Sequence, residues 1–279
     1  MSKKFAVIGH PIGHTMSPFI HDRLFKLSGI DARYSVIDIA PENLERDYNE
    51  TLKNLDGYNI TIPHKQNIIP LLDEIDEKAE MYGSVNTVSN LNGKARGYTT
   101  DPDGFLEALK YASIDLNGRV VILGCGGVAR TMAYEALLKN AKLEFAVREK
   151  SIPKVKELIK EIKSKLNNPD VSFCDINELS GGIDLLVNAT PVGMSPNTDN
   201  MPVSESVLKN CANVYDAIYN PLKTKLIKTA LKNGAKAEGG MSMLVWQAVV
   251  SHRHWDNSVY DVKDIEKLCE DAAKELMSR

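Results

Sequence analysis

One segment constrains the fold more than any other part of the chain. It is "RVVILGCGGVARTMAYEALLKNAKLEFAVRE", which begins at Arg119. The segment reads as an apolar strand, a glycine-rich turn, a helix and a second apolar strand, which together make a βαβ unit of about 30 residues. Strands and helices also alternate through nearly all the rest of the chain. The sequence therefore predicts an α/β protein.

The turn inside this unit has the pattern expected of a dinucleotide site. Gly124, Gly126 and Ala129 form a G-x-G-x-x-A pattern directly after the strand. The first glycine permits a tight turn, the second lets the backbone approach a pyrophosphate, and the alanine allows close packing of helix on strand. The helix N-terminus favours anionic phosphates. We predict that cofactor contacts come from Gly124, Cys125, Gly126, Gly127, Val128 and Ala129.

The choice of dinucleotide depends on Arg148 and Glu149, which follow the second strand of the unit. An arginine at this point accommodates the 2′-phosphate of NADP, whereas a carboxylate accepts a hydrogen bond from the 2′-hydroxyl of NAD. Glu149 would repel a phosphate if its side chain pointed inward. We predict NADP with Arg148 as a cofactor ligand, and Glu149 leaves NAD open.

The sequence on either side of this unit predicts a second domain. We place the boundaries between the two domains near residues 101–104 and near residues 239–242. We predict a Rossmann-like dinucleotide-binding domain at 104–240. The other domain is an α/β substrate domain formed by residues 1–103 and completed by the closing helices at 241–279.

Three local patterns in the first domain make specific predictions. In "YNITIPHK" polar and apolar residues alternate, which indicates a half-buried strand that stops at Pro63. Asn92 and Gly93 are the strongest signal for a hairpin turn. A helix is expected with Ser17 as its N-cap and Gly29 just past its end.

Composition excludes several classes of function. The 279 residues carry a net charge of −3, so neither nucleic acid nor an acidic membrane surface is expected as a partner. The four cysteines are scattered and are expected to be free thiols in a reducing compartment. His10, His14, His21 and His64 show no ligand spacing, and we predict no metal site. The expected protein is soluble and cytoplasmic.

Eight segments together resemble one family. In chain order they are "GHPIGHTMSPFIH", "NITIPHK", "GSVNT", "TTDPDGF", "GCGGVAR", "NATPVGM", "YDAIYNP" and "GGMSMLVWQA". With these segments the chain resembles the shikimate dehydrogenase family along nearly its whole length. The resemblance implies NADPH-dependent reduction of 3-dehydroshikimate to shikimate, on the pathway to chorismate and the aromatic amino acids.

The resemblance implies that Lys65 and Asp101 are the catalytic pair. Hydride leaves the carbon of a secondary alcohol as its hydroxyl loses a proton, so one group must take and return that proton. In reduction, a lysine ammonium can donate to the forming alkoxide. The carboxylate can hold both the lysine and a substrate hydroxyl.

The resemblance also implies a set of substrate ligands. Ser17 matches a serine that binds the substrate carboxylate, although its role as an N-cap stays open beside this one. Thr15 stands where the family usually has another serine, and its methyl group and stiffer χ1 leave the choice between shikimate and quinate open. Contacts with the rest of the substrate are implied for Thr61, Asn86, Asp101, Tyr219 and Gln247.

Further cofactor contacts are implied in three separate segments. Gly240 and the backbone of Ala217 match positions near the nicotinamide, and Glu77 matches a peripheral contact. Asn188 and Thr190, which follow a strand on the nucleotide side, are expected to line the site.

Two alternatives to this function stay open at the level of sequence. One is a quinate/shikimate dehydrogenase that uses NAD, which Glu149 and Thr15 allow. The other is a relative that binds the same ligands without catalysis, against which the retention of both Lys65 and Asp101 argues. A monomer and a homodimer are both compatible with the sequence.

Overall fold

The computed structural model describes residues 2–13, 15–180 and 182–279. His14, one of the histidines considered above, lies outside the described residues. The chain forms two compact units. Unit 1 comprises Met1–Gly104 and Val245–Arg279, and unit 2 comprises Phe105–Leu244.

The secondary structure alternates between strands and helices. As far as Tyr111 the elements are β1 (Lys3–Gly9), α1 (Ser17–Ser28), β2 (Ala32–Asp38), α2 (Leu44–Glu50), β3 (Gly57–Ile60), β4 (Glu74–Ile75), α3 (Glu77–Tyr82), β5 (Thr87–Leu91), β6 (Lys94–Tyr98) and α4 (Asp101–Tyr111). They are followed by β7 (Arg119–Leu123), α5 (Gly127–Leu138), β8 (Lys142–Val147), α6 (Ile152–Lys165), β9 (Val171–Asp175), β10 (Ile183–Asn188), α7 (Glu205–Leu208), β11 (Cys211–Asp216), α8 (Lys225–Lys232) and β12 (Lys236–Glu238). The last two elements are α9 (Gly240–Asp256) and α10 (Val262–Ser278).

The sheet of unit 1 is mixed and has the strand order β2-β1-β3-β5-β6-β4. β1 runs parallel to β2 and β3, whereas β5 runs antiparallel to β3 and β6. The carboxyl ends of β1, β3 and β6 therefore share one edge of the sheet with the amino end of β5. The segments that follow the carboxyl ends of β1, β3 and β6 therefore lie close together at this edge.

The hairpin between β5 and β6 forms as predicted. Leu91 pairs with Lys94, and the two residues between them are Asn92 and Gly93, with φ of 53° and 77°. Positive φ at both central residues is typical of the tight turn whose twist matches that of paired strands. The hairpin places Asn86, just before β5, beside the residues that follow β6.

Two predictions of element ends in unit 1 are wrong. Met16, and not Ser17, occupies the N-cap position of α1, and the Met16 side chain makes no capping hydrogen bond. The reason is that Ser17 already lies in the first turn, where its backbone N–H donates a hydrogen bond to Thr15 Oγ1 at 3.1 Å. β3 ends at Ile60 rather than at Pro63, and all four of its residues are buried, so the prediction of a half-buried strand is also wrong. Gly29 ends α1 as predicted, with φ of 69°.

Helix α9 is part of the core of unit 1. The ring of Trp255 packs on that of Phe5, with 4.6 Å between centroids, and both are buried together with Phe25. Trp255 Nε1 donates a hydrogen bond to the Val88 carbonyl oxygen at 2.8 Å. These contacts attach α9 to β1, β5 and α1, and they fix the position of the other side chains on α9.

The sheet of unit 2 is parallel and has the strand order β12-β11-β10-β7-β8-β9. The order of strands along the chain reverses between β7 and β10. In sheets of this type a crevice opens outside the carboxyl ends of the strands at the point of reversal, and ligands bind there. The predicted α/β class and the predicted Rossmann-like arrangement are confirmed.

Histidines near the start of the chain have partners within unit 1. His10 Nδ1 lies 2.6 Å from Asp38 Oδ1, and His64 Nε2 lies 2.6 Å from the Ile39 carbonyl oxygen. Among the described residues there is no group of three or more His, Cys, Asp or Glu side chains that could hold a metal ion. No helix within the described ranges is long and apolar enough to cross a bilayer.

Candidate active site

The centre of the candidate site in unit 1 is an ion pair. Lys65 Nζ lies 2.5 Å from Asp101 Oδ2, and the two side chains are 25% and 15% exposed. Lys65 follows β3, and its carbonyl oxygen accepts a hydrogen bond from the Val85 N–H at 2.9 Å. Asp101 is the first residue of α4, where the positive end of the helix dipole stabilises a carboxylate. The pair therefore meets at the shared edge of the sheet.

Asn86 connects this pair to the strands. Its Nδ2 donates to Asp101 Oδ1 at 2.8 Å, so the carboxylate has a separate donor on each oxygen. Its Oδ1 accepts from the Thr100 backbone N–H at 2.7 Å. The Asn86 side chain is only 3% exposed and is held between β5 and the start of α4. This arrangement holds the Asp101 carboxylate in one orientation.

Gln247 and Thr61 belong to the same unit. Gln247, on α9, lies within 3.5 Å of the Thr100 hydroxyl through its Oε1 atom. Thr61 directly follows β3, and its N–H donates to the Ile8 carbonyl oxygen at 2.9 Å. Thr61 is therefore at the same edge of the sheet as Lys65.

Thr15 and Ser17 are hydrogen-bonded to each other, and a separate chain of hydrogen bonds runs from Tyr34 to Asn86. The Thr15 hydroxyl donates a hydrogen bond to Ser17 Oγ at 3.1 Å. The Tyr34 hydroxyl donates to Asn59 Oδ1 at 2.7 Å. Asn59 Nδ2 contacts Thr87, which is adjacent to Asn86. This second chain thus connects Tyr34 on β2 to Asn86, which contacts Asp101.

The glycine turn of unit 2 has the geometry that a dinucleotide requires. Gly124 has φ of 95°, and a Cβ at this position would lie 2.9 Å from Thr190 Cγ2, so glycine is needed. Helix α5 begins at Gly127 with Gly126 at the N-cap position. A Cβ at Gly126 or Gly127 would meet nothing within 4 Å, so the backbone is open to a ligand on this side.

Three further residues of the turn are buried or part-buried. Ala129 is fully buried, as expected for a residue that lets helix and strand approach. Burial raises the pKa of the Cys125 thiol, with the charge of Lys154 opposing it, so the thiol stays uncharged near the start of α5. Val128 is part-buried within the first turn of α5.

A cavity of about 330 Å³ lies next to this turn. Its lining includes Arg148, Ser151 and Thr190. Glu149 is exposed and does not contribute to this lining. The full lining is Gly124, Ala146, Val147, Arg148, Ser151, Ile176, Asn177, Thr190, Val192 and Pro202. The cavity occupies the point where the strand order reverses.

The segments around Ala217 and Gly240 are in direct backbone contact. Gly240 N–H donates to the Ile218 carbonyl oxygen at 3.0 Å. A Cβ at Gly240 would lie 2.2 Å from the Ala217 carbonyl oxygen, so only glycine fits. The two residues predicted to lie near the nicotinamide are therefore adjacent in unit 2.

Comparison with known proteins agrees with this geometry. A family model described as the shikimate dehydrogenase substrate binding domain matches residues 7–88. The shikimate dehydrogenase (NADP(+)) of Caldanaerobacter subterraneus subsp. tengcongensis is 39% identical over 265 residues, which cover 93% of this chain and 94% of that protein. The chain belongs to the shikimate dehydrogenase family.

Solved structures of shikimate dehydrogenases are similar to this one throughout. One, in complex with NADP⁺, has a TM-score of 0.89 at 37% identity, and the match covers 97% of this chain and 95% of that chain. Another, from Thermus thermophilus in complex with NADP(H) and shikimate, has a TM-score of 0.87 at 29% identity and covers 97% and 99%. The predicted family is confirmed.

The structure divides the predicted site residues of this family member between the two units. Thr15, Ser17, Thr61, Lys65, Asn86, Asp101 and Gln247 are all in unit 1. Tyr219, Ala217 and Gly240 are in unit 2 with the glycine turn. Glu77 is in unit 1, exposed, as the first residue of α3. Its role as a peripheral cofactor contact stays a prediction.

The sequence analysis assigned no role to several polar residues of the site, although three of them lie within the quoted motifs. Tyr34, Asn59, Thr87, Thr100 and Ser251 form the network around Asn86. A usable signal existed for Asn59, a polar residue inside an otherwise buried strand segment, because a buried amide needs partners.

The structure also corrects the prediction for Asn188. It was expected to line the site but is fully buried, and it holds the loop after β10.

The buried Asp216 carboxylate of unit 2 holds both the loop after β10 and the segment that follows β11. Its carboxylate accepts hydrogen bonds from Thr224 Oγ1 at 2.6 Å, Asn188 Nδ2 at 3.0 Å and the Ile218 N–H at 3.1 Å. Burial raises the pKa of Asp216 to about 6 despite these donors. The carboxylate therefore fixes both the Ala217 segment and the loop that contains Thr190.

The raised pKa of Asp216 predicts a pH dependence of stability. Because the pKa of Asp216 is higher in the folded protein than its ordinary value of 3.8, protonation of Asp216 favours the folded state. This contribution to stability is fully present below pH 3.8 and is lost as the pH rises through about 6. Asp216→Asn lacks this charge, so we expect its Tm to rise relative to wild type between pH 5 and pH 7. The shift of pKa corresponds to at most about 3 kcal/mol. A difference in Tm that is the same at both pH values would contradict this prediction.

Proposed function

We propose that this protein catalyses the reversible reduction of 3-dehydroshikimate to shikimate with NADPH, on the pathway to chorismate and the aromatic amino acids. The observation that carries the proposal is the contact of 2.5 Å between Lys65 Nζ and Asp101 Oδ2. The predictions of an oxidoreductase and of NADP as its cofactor are confirmed by relatives that cover nearly the whole chain and are named shikimate dehydrogenase (NADP(+)).

Side chains of unit 1 control the proton in this reaction, and bound NADPH supplies the hydride. In reduction the Lys65 ammonium donates a proton to the oxygen of the forming alkoxide, and in oxidation the neutral amine takes it back. Asp101 accepts from both Lys65 and Asn86, so it keeps the lysine directed at one position. A protein that only binds these ligands needs no such pair, which favours an enzyme.

The proposed substrate ligands both donate and accept hydrogen bonds, as a polyol requires. Ser17 and Thr15 are assigned to the substrate carboxylate. Thr15 carries a methyl group that serine lacks, so the choice between shikimate and quinate is the property most sensitive to this residue. The ring hydroxyls and the remaining surface of the substrate are assigned to Thr61, Asn86, Asp101, Gln247 and Tyr219.

The residues of unit 2 fit NADP. The pyrophosphate is assigned to the backbone of the glycine turn and the N-terminus of α5, where N–H groups and the helix dipole favour negative charge. The 2′-phosphate is assigned to Arg148, which lines the cavity together with Ser151. Ala217 and Gly240 are assigned to the nicotinamide end, and Glu77 to a peripheral contact.

Glu149 is expected to have little influence on the choice of cofactor. Its side chain is exposed and lies outside the lining of the cavity, so it does not face the adenosine ribose. In Glu149→Ser we expect the ratio of kcat/KM for NADP to that for NAD to stay within about twofold of wild type. A clear shift of this ratio toward NADP would show that Glu149 opposes the phosphate.

The proposed function is tested by steady-state assays of the purified protein. Shikimate and quinate are each offered with NADP and with NAD, and reduction of the nicotinamide is followed by absorbance. We expect shikimate with NADP to give the highest kcat/KM. No turnover with shikimate and either cofactor would overturn the proposal, and a preference for quinate with NAD would replace it with the alternative named above.

Two further properties belong to this proposal. Shikimate and the dinucleotide are the proposed partners, and the protein acts as a monomer or homodimer. We place it in the cytoplasm because Cys125, Cys174, Cys211 and Cys269 are free, as thiols are in a reducing compartment.

A further inference from the structure

The segment between β1 and α1 carries Thr15, a proposed ligand of the substrate carboxylate. Its described residues are 10–13, 15 and 16, which belong to no helix or strand and are called the β1–α1 loop below. Thr15 Oγ1 accepts a hydrogen bond from the Ser17 N–H and donates one to Ser17 Oγ, both at 3.1 Å. The position of Thr15 therefore affects both proposed carboxylate ligands.

Asp38, the last residue of β2, holds the first half of this loop. One of its carboxylate oxygens lies 2.6 Å from His10 Nδ1, and the other accepts a hydrogen bond from the Ile12 N–H at 3.3 Å. These two hydrogen bonds lower the pKa of Asp38, so its carboxylate is charged near neutral pH. Because a charged carboxylate can only accept, His10 Nδ1 carries the proton in this contact.

The Ile12 side chain places this part of the loop at the candidate substrate site. Ile12 is buried, and a Cβ at Gly9 would lie 3.2 Å from Ile12 Cδ1 and 2.5 Å from Thr61 Cγ2. Ile12 and the proposed substrate ligand Thr61 therefore pack around the same point at the end of β1. The contact between Asp38 and the Ile12 N–H thus fixes the loop beside Thr61.

Arg279, which follows α10, holds the second half of the loop. Its Nη1 donates a hydrogen bond to the Thr15 carbonyl oxygen at 3.1 Å, although the two residues are 264 positions apart in the chain. Its Nε donates to Glu275 Oε1 at 3.1 Å, one turn earlier in α10. The buried residues of α10 are Ile265, Leu268, Cys269 and Ala272. The guanidinium group therefore reaches the loop from a packed helix, with its charge paired to Glu275.

We infer that Asp38 and Arg279 are positioning residues, which together hold the β1–α1 loop in the conformation that receives the substrate carboxylate. The inference rests on the proposed function, in which Thr15 and Ser17 bind that carboxylate. Neither Asp38 nor Arg279 belongs to a motif that identifies the family. A loop that is already ordered before the substrate arrives loses less freedom on binding. The two residues therefore act on the KM for shikimate and not on the proton transfer by Lys65.

The opposite charges of Asp38 and Arg279 separate positioning from direct electrostatic attraction. If these charges acted on the substrate carboxylate itself, Asp38→Ala would lower the KM for shikimate and Arg279→Met would raise it. Positioning predicts that each variant raises this KM roughly threefold to tenfold, as for the loss of one or two hydrogen bonds, with kcat within about twofold of wild type. Initial rates at saturating NADP measure both constants, and a KM that is unchanged or lowered in Asp38→Ala would overturn the inference.

Two variants are expected to leave the KM for shikimate within about twofold of wild type. Asp38→Asn removes the charge but can keep both contacts, because its amide group donates to His10 Nδ1 and its oxygen accepts from the Ile12 N–H. Lys274→Met removes an exposed cation that is paired with Asp271 on α10. A KM in either variant that matches the rise in Asp38→Ala and Arg279→Met would contradict a role based on the two contacts.

The methyl ester of shikimate supplies a readout that a general structural defect would not spare. Since the ester has no charged carboxylate, Asp38→Ala and Arg279→Met should lower kcat/KM for shikimate more than that for the ester. The KM for NADP should stay at its wild-type value in both variants. An equal loss for acid and ester would overturn the inference while wild-type turnover of shikimate keeps the proposed function intact. Absence of wild-type turnover would overturn both.

Crystals of the wild-type protein provide a measurement that does not depend on a folded variant. In crystals with and without shikimate, the distance from Arg279 Nη1 to the Thr15 carbonyl oxygen should stay below about 3.5 Å, as should that from His10 Nδ1 to the Asp38 carboxylate. Thr15 should also keep the same χ1 rotamer in both crystals. Loss of either contact, or a loop that changes conformation when shikimate binds, would overturn the positioning role.

Discussion

Lys65→Ala should lower kcat for shikimate oxidation by roughly 10²–10⁴-fold, while KM changes much less. The reason is that Lys65 Nζ, held 2.5 Å from Asp101, is the group assigned to proton transfer. Substrate binding is assigned to several other side chains, so the loss of Lys65 should affect it much less. Initial rates at saturating NADP, measured over a range of shikimate concentrations, separate kcat from KM.

Two further variants sharpen this test. Lys65→Arg keeps the positive charge beside Asp101 but cannot release a proton near neutral pH, so kcat should also be strongly reduced. Lys94→Ala breaks an exposed ion pair with Glu74 in the same unit and should leave kcat unchanged. If Lys65→Ala keeps more than about a tenth of the wild-type activity, the catalytic role of Lys65 is wrong.

Arg148→Ala should raise the KM for NADP far more than the KM for NAD, because only NADP carries the 2′-phosphate. Loss of one charge-assisted contact costs on the order of 1.5–3 kcal/mol, which corresponds to about a tenfold to 150-fold change. The position of Arg148 in the lining of the cavity next to Gly124 motivates this prediction. Initial rates with each cofactor at saturating shikimate supply the two constants.

The control for Arg148→Ala is Lys163→Ala, which removes a positive charge from the exposed end of α6 in the same unit. We expect both cofactor constants to stay at their wild-type values in this control. Equal increases for NADP and NAD in Arg148→Ala would mean that the arginine contacts a part common to both cofactors. The phosphate assignment would then be wrong.

Features that depend on neighbours in sequence could be predicted from the sequence. The turn at Gly124 and Gly126 follows from the alternation of strand, glycine and helix within one βαβ unit. The hairpin at Asn92 and Gly93 depends on the φ preferences of two residues. Lys65 itself carries no local signal that separates it from a surface lysine, and only the resemblance to the family assigned its role.

Features that depend on contacts between distant segments could not be predicted. Ser17 fits the pattern of an N-cap, but Thr15 takes its N–H, a choice that periodicity does not reveal. The partners of Asn59 come from β2, β5 and α9, and the farthest of them lies 192 residues from Asn59 along the chain. The sequence also left open which of Arg148 and Glu149 faces the cavity, because their side-chain directions are set by tertiary packing.

The discontinuity of unit 1 has a consequence for the newly synthesised protein. Residues 105–244 leave the ribosome before Ser251 and Trp255, so all of unit 2 is available for folding while unit 1 still lacks α9. During that interval Phe5 and Phe25 lack the indole that covers them, and Asn59 lacks one of its partners. The nascent chain therefore exposes apolar surface near its start until Trp255 emerges.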